Sequence, residues 1–349
     1  MQRSRRIAED CLTASHHPGG RLRAYLEFLA AFLYLFFARS LAVSGARGLA
    51  GDAWSPLLEQ AMLVFLLVAG YAAMGYWFDR QPHPISEQGL CLRPGWTREA
   101  GLGLAAGWAM TLACVLPMAV LGGIAISVTP QAAAWGWLLT DTAFFALTAL
   151  AEEVAFRGYA FQRFARAVGP VGASLAFALV YAILQALLPG ASHASFAVSL
   201  VIGLLLSACY VRTRALWVSW GVNFGWKASR ALLIGLAVNG MTNHSPIIQG
   251  DPMGSYWLTG GGFGLDGSWF AFFVIVAALP AVFRMTRELD YRYNAPVIVP
   301  GGIPVDLDAI ARRQHEAAMG PAAPAAPTLV QIEGAGKELG SGAGDIESR

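Results

Sequence analysis

The chain has 349 residues, of which 56% are hydrophobic and only 13% charged, and its mean hydropathy is +0.51. That apolar share lies well above the level of an ordinary soluble domain. A formal charge of +2, with the basic residues spread between apolar runs, leaves no patch for nucleic acid. The apolar residues gather into stretches near the ~20 residues that a helix needs to cross ~30 Å of hydrocarbon, so the chain reads as an all-α, polytopic membrane helix bundle.

Residues 1–23, "MQRSRRIAEDCLTASHHPGGRLR", are basic and lead into a long apolar segment without a small-residue cleavage site, which reads as a cytoplasmic tail rather than a signal peptide. Residues 24–128 then hold accessory spans near 24–44, 55–78 and 99–127, and residues 129–286 a second set near 133–156, 171–188, 194–211, 215–238 and 268–286, about eight in all. Arginine placement orients them. Arg3, Arg5, Arg6, Arg21 and Arg23 precede the first span, and Arg80, Arg93 and Arg98 follow the second. Arg163 and Arg166 follow the fourth, Arg212 and Arg214 the sixth, and Arg284, Arg287 and Arg292 the last, while only Arg47 in the first loop blurs the alternation. An excess of Lys and Arg marks cytoplasmic loops, so both termini are expected in the cytoplasm. The stretch 241–267 is Gly-rich, with Tyr256 and Trp257 suited to an interface, and reads as an outer surface loop. The tail 287–349, Ala/Pro/Gly-rich beyond about 300, reads as cytoplasmic and largely disordered. Cys11, Cys91, Cys114 and Cys209 form no CxxC pair, and neither a disulfide framework nor a zinc site is expected of them.

A charge in a membrane helix costs roughly 2.5–3.5 kcal/mol on insertion scales, so it is usually turned inward and paired. "ALAEEVAFRGYAF" places Glu152, Glu153 and Arg157 at the end of an apolar run. Glu153 and Arg157, four apart with the acid first, can pair along one face, whereas Glu152 points about 100° away and needs another partner. "WVSWGVNFGWKASR" supplies Asn223 and Lys227 on one face of the seventh span, with Arg230 three residues on. Lys227 lies too deep to snorkel easily, and a Lys227 to Glu152 pair would let each ion offset the other's desolvation. The bland alternatives are a structural clasp for Glu153 and a wet cavity for Lys227. The histidines offer no metal constellation: His16, His17, His83 and His315 fall in tails or a cytoplasmic loop, His244 in the outer loop, and His193 in an outer turn.

These residues resemble the CPBP family of intramembrane proteases, which includes the type II CAAX prenyl endopeptidases and bacterial homologues. The first family motif, Glu-Glu-x-x-x-Arg, stands as Glu152, Glu153 and Arg157, followed by Gly158 and an aromatic. "PGAS" at 189–192, "YVRTRALWVSWGVNFGW" at 210–226 and "WLTGGGFGLDGS" at 257–268 look like further landmarks of bacterial members. The second motif, Phe-x-x-x-His, departs: one register puts Gln185 at the histidine and the other Tyr181. The third, His-x-x-x-Asn, falls on Asn223 and Lys227.

The resemblance implies a CAAX-protease-like membrane domain at a bacterial inner membrane, with a glutamate and a histidine activating water against a peptide carbonyl. Its expected partners are membrane lipid and a prenylated or membrane-anchored peptide. Zinc is implied by the resemblance alone, and no cofactor is expected from the histidine content of the site. Gln185 has no usable pKa for a base, and Lys227 beside Glu152 would keep that carboxylate ionised and occupied. Three readings stay open: an endopeptidase using Glu152 as base with Asn223 and Lys227 stabilising the oxyanion, a non-catalytic membrane binding protein, and an ion or proton transporter.

Overall fold

A computed structural model describes residues 20–241 and 247–293, together with His315. The chain divides into Met1–Asn294 and Ala295–Arg349. The expectations for residues 1–19 and for the tail beyond 300 fall outside the described residues, His315 aside.

The first unit is a helix bundle. Its long elements are α1 (Arg21–Leu49), α2 (Ser55–Asp79), α3 (Trp96–Val120), α4 (Ala132–Arg157), α5 (Tyr159–Ala186), α6 (His193–Thr213), α7 (Trp217–Ala228) and α9 (Trp269–Met285). The short α8 (Tyr256–Thr259) precedes α9, and α10 (Arg287–Tyr293) follows it. The bundle is apolar on its outside as well as its inside. Phe36, Phe65, Leu139, Leu175 and Phe273 are exposed, as side chains facing lipid would be. By length and composition, α1, α2, α3, α6 and the segment Ala134–Ala186, which runs through Gly158 from α4 into α5, can each cross a membrane. The protein is an integral membrane protein.

Several sequence expectations need correction at their ends. The span expected over 99–127 stops at Val120, because Gly122 takes a positive φ of 68° and the β-branched run Ile124–Val128 becomes strand β1. The span expected at 171–188 is the second part of α5, which starts at Tyr159 and is broken at Gly169 (φ 83°), with Pro170 opening the next turn where its missing N–H costs nothing. The span expected over 215–238 is shorter: α7 ends at Ala228, continues as a π-helical turn over Ser229–Leu233, and stops before Gly235. The stretch 241–267 is not simply a surface loop. Strand β2 (Ile248–Pro252) pairs antiparallel with β1, and Leu258, Phe263, Leu265 and Asp266 are buried. Turn-forming glycines mark where a chain bends but not whether it bends inward. Cys91 is disulfide-bonded, against the expectation of none, while Cys114 and Cys209 are free and buried. Spacing rules detect local pairs, whereas a disulfide depends on which chain segments meet in space.

A charged clasp fastens the accessory helices to the core. Arg163 of α5 is fully buried and lies 2.9 Å from Asp79 at the end of α2 and 3.8 Å from Glu27 of α1. Tyr159 donates its hydroxyl to Asp79 (3.1 Å), and its ring lies 4.3 Å from the Arg163 guanidinium carbon. Arg23 closes the outer side on Glu27 (2.7 Å), and Arg166 reaches Asp79 (3.4 Å).

Candidate active-site cluster

The motif residues meet where the end of α4 packs on α7. Glu153 and Arg157 are fully buried one turn apart, and the arginine Nη1 donates to Glu153 Oε1 at 3.2 Å. Its Nη2 donates to the Gly203 carbonyl of α6 at 3.1 Å, so one guanidinium ties α4 to α6. Glu152, one residue earlier, turns to α7. Its Oε1 lies 2.5 Å from Lys227 Nζ, and its Oε2 accepts from Asn223 Nδ2 at 2.9 Å. The same amide nitrogen donates to Glu153 Oε1 at 3.1 Å. Asn223 therefore spends both N–H groups on the two glutamates, the orientation its chemistry requires between two acceptors. Glu152, Glu153, Arg157, Asn223 and Lys227 form one connected network.

Small residues set the approach of α7. Gly103 and Gly107 of α3 face Gly221 and Gly225 of α7, and a Cβ at any of the four would collide with the opposite backbone. Two small-x-x-x-small pairs packed reciprocally let the helix backbones touch, the usual device where lipid supplies no hydrophobic drive between helices. With the glycine face fixed on α3, Asn223 and Lys227 are carried toward α4. This pairing was readable in the sequence as two four-residue glycine spacings, but the sequence alone does not match one to the other.

Tyr181 and Gln185 divide. Tyr181 lines a small cavity together with Asn223, Lys227, Trp226, Arg230 and Asp266, whereas Gln185 is buried and donates to the Tyr181 hydroxyl at 2.9 Å. Of the two registers left by the second motif, Tyr181 is the one whose side chain borders the cavity. His193 is exposed at the first position of α6, and no histidine among the described residues lines the cavity.

Arg230 and Asp266 were missed as members of the site. Arg230, fully buried in the π-helical turn after α7, has Nη1 2.6 Å from Asp266 Oδ2, and its guanidinium carbon lies 4.6 Å from the Trp226 ring centre. Trp226 Nε1 donates to the other Asp266 oxygen at 3.1 Å. The available signal was Arg230 itself: a second cation three residues from Lys227 in an apolar helix needs a carboxylate of its own. Asp266 sits in the glycine-rich stretch that was read as surface.

The donor set does not fit a metal ion. Glu152 already holds an ammonium on one oxygen and an amide on the other, and Glu153 is shared between Arg157 and Asn223. Among the described residues, no group of three or more His, Cys, Asp or Glu side chains is placed to bind one. Chemically, the cluster balances Glu152, Glu153 and Asp266 against Lys227, Arg157 and Arg230.

Residues 130–229 match the family model described as type II CAAX prenyl endopeptidase Rce1-like. No curated protein and no solved structure matches the chain. The matched segment runs from the start of α4 to just past the end of α7 and so contains Glu152, Glu153, Arg157, Tyr181, Gln185, Asn223 and Lys227. With the first-motif residues inside that segment and joined in the bundle, the chain is an integral membrane protein whose residues 130–229 are similar to the type II CAAX prenyl endopeptidases.

Proposed function

We propose that this protein binds a membrane-anchored ligand at the α4 and α7 cluster and does not cleave it. The observation that carries this reading is the state of Glu152, whose two oxygens are taken by Lys227 at 2.5 Å and Asn223 at 2.9 Å. A general base must hold a water and accept its proton near neutral pH. An ammonium at contact distance occupies the oxygen that the water would use. The histidine positions of the family fall on Tyr181 or Gln185 and on Asn223, none of which titrates usefully as a base at neutral pH. The ligand classes consistent with the family are a prenylated or membrane-anchored peptide and membrane lipid. The arginine alternation supports cytoplasmic termini, and the likeness to bacterial members supports a bacterial plasma membrane.

A second reading, an endopeptidase, is favoured by one feature: the Glu152 side chain keeps 20% of its surface exposed beside the amide of Asn223 and the ammonium of Lys227, which could serve an oxyanion. Mass-spectrometric cleavage of prenylated and unprenylated peptides by the protein in nanodiscs separates the two. The natural sequence is expected to release no fragments, and a triple change of Gln185→His, Asn223→His and Lys227→Asn tests whether the scaffold can be made competent. Cleavage by the natural sequence that vanishes in Glu152→Ala would overturn the binding reading.

A further inference from the structure

The ribbon of β1 and β2 has one covered edge and one open edge. In its antiparallel register Ile124 lies opposite Pro252 and Val128 opposite Ile248, without a bulge. Met253 N donates to the Gly123 carbonyl at 2.9 Å, and Thr129 N donates to the Ile247 carbonyl at 2.8 Å. Hydrogen-bonded pairs alternate with non-bonded ones along such a ladder, so Gly123, Ala125, Ser127 and Thr129 turn their main-chain groups toward β2. Ile124, Ile126 and Val128 turn theirs away. The partner strand follows the same alternation: Gly250, opposite Ile126, donates away from β1 to the Gly235 carbonyl at 3.1 Å. The turn after Arg230 thus covers the far side of β2, and Leu236 N in that turn donates back to the Arg230 carbonyl at 2.8 Å. Among the described residues, no main-chain hydrogen bond reaches Ile124, Ile126 or Val128 from the other side, and residues 125–128 are exposed.

An open edge of this kind is a row of donors and acceptors spaced for another extended main chain, and it carries none of the usual blunting devices. Residues 122–128 hold no charge and no proline. The ribbon begins where α3 ends, and Val120 and Leu121 before it and Met253 and Trp257 after it expose apolar side chains at that end of the bundle. We infer that β1 is a peptide-docking edge: an extended segment of a membrane-anchored polypeptide adds to the ribbon as a third strand, through the main-chain groups of Ile124, Ile126 and Val128. The inference rests on the reading that this protein binds a membrane-anchored ligand, and it assigns the polypeptide part of that ligand to a surface apart from the α4 and α7 cluster. A five-residue edge offers few hydrogen bonds, too few by themselves to hold two copies of the chain together. A ligand kept in the same bilayer by its anchor is at high local concentration, so a short edge suffices for it.

The test uses the full chain in nanodiscs and a fluorescent, N-dodecanoylated Thr-Val-Thr-Val-Thr-Val peptide, with the same peptide methylated at every backbone nitrogen as its match in side chains and anchor. Fluorescence anisotropy, over a baseline of empty nanodiscs, is expected to show the unmethylated peptide binding at least about tenfold more tightly, a difference of about 1.4 kcal/mol. Ile126→Pro removes one N–H of the open edge and none of the ladder to β2, a change that edge strands tolerate. It should weaken the unmethylated peptide about tenfold and leave the methylated one unchanged, whereas Ile126→Ala, which keeps the N–H, should bind as the natural chain does. Should Ile126→Pro fail to fold, the two peptides on the natural chain carry the test. Equal binding of both peptides, or equal weakening by Ile126→Pro and Ile126→Ala, would overturn the docking edge and leave an apolar contact with lipid. A natural chain that is dimeric, and becomes monomeric on Ile126→Pro, would overturn it in favour of a second copy. Peptide binding that survives Ile126→Pro but is lost in Lys227→Ala would overturn the edge and keep the cluster as the ligand site. Peptide cleavage by the natural protein would defeat the non-catalytic reading without touching the edge.

Discussion

The Arg163 clasp and the α4 and α7 cluster differ in how they are closed. The clasp of Arg163, Asp79 and Glu27 joins α1, α2 and α5, with Arg163 fully buried and Asp79 only 3% exposed. Its inner face is capped by the Tyr159 ring and hydroxyl, and its outer face by Arg23 and Arg166. The α4 and α7 cluster is built of the same kinds of charge, yet Glu152 stays 20% exposed and a small cavity borders Lys227 and Arg230. A closed cluster in a membrane holds helices together and has nowhere to admit a ligand. A cluster with a partly exposed carboxylate and a bordering cavity is arranged to meet something else.

The largest expected effect tests the closed cluster. Asp79→Ala leaves Arg163 buried with only Glu27 at 3.8 Å, and breaking a buried pair from one side costs about 3–5 kcal/mol. Unfolding in mixed detergent micelles should report a loss of that size. A change under about 1 kcal/mol would mean that the arginine reaches water and the clasp is not closed.

The open cluster should respond less. Lys227→Ala removes the partner of a glutamate that is partly hydrated, so a loss of about 1–3 kcal/mol is expected, smaller than at Asp79. Glu152→Gln in the same chain should restore most of it, and a double-mutant cycle reads the coupling directly. Unchanged stability in Lys227→Ala would mean that the ion pair contributes nothing measurable.

The smallest effect lies at the rim of the closed cluster. Burial raises the Glu87 carboxyl above its ordinary value, opposed by the nearby Arg163 guanidinium. A raised folded-state pKa means that the stability present below the unfolded pKa is lost as pH rises through the folded one. Glu87→Gln should therefore match the natural protein in acid and exceed it in stability at neutral pH. An acid-side difference with none at neutral pH would reverse the assignment.

Much of the site was legible before any coordinates. Glu153 and Arg157 are four apart on a helix, so their pairing follows from the turn of the chain, and the 100° step to Glu152 required a separate partner. Lys227 was the obvious cation because no other basic residue lies so deep in the seventh span. Asn223 holding both glutamates at once was not legible, since it depends on the crossing of α4 and α7. Arg230 and Asp266 stayed apart in the reading because the second lies in a glycine-rich stretch whose inward fold is decided by pairing with β1 and by packing of Leu258 and Phe263.

By itself the sequence determined that this is an integral membrane bundle, which helices carry the charges, and which family those charges resemble. Apolar length and the cost of a bare charge in hydrocarbon act along the chain, and a linear reading can follow both. Which charge meets which was decided by the tertiary structure. The glycine seam between α3 and α7 sets a distance and a rotation, and only that placement makes Glu152 a partner of Lys227 and leaves Arg230 facing a space.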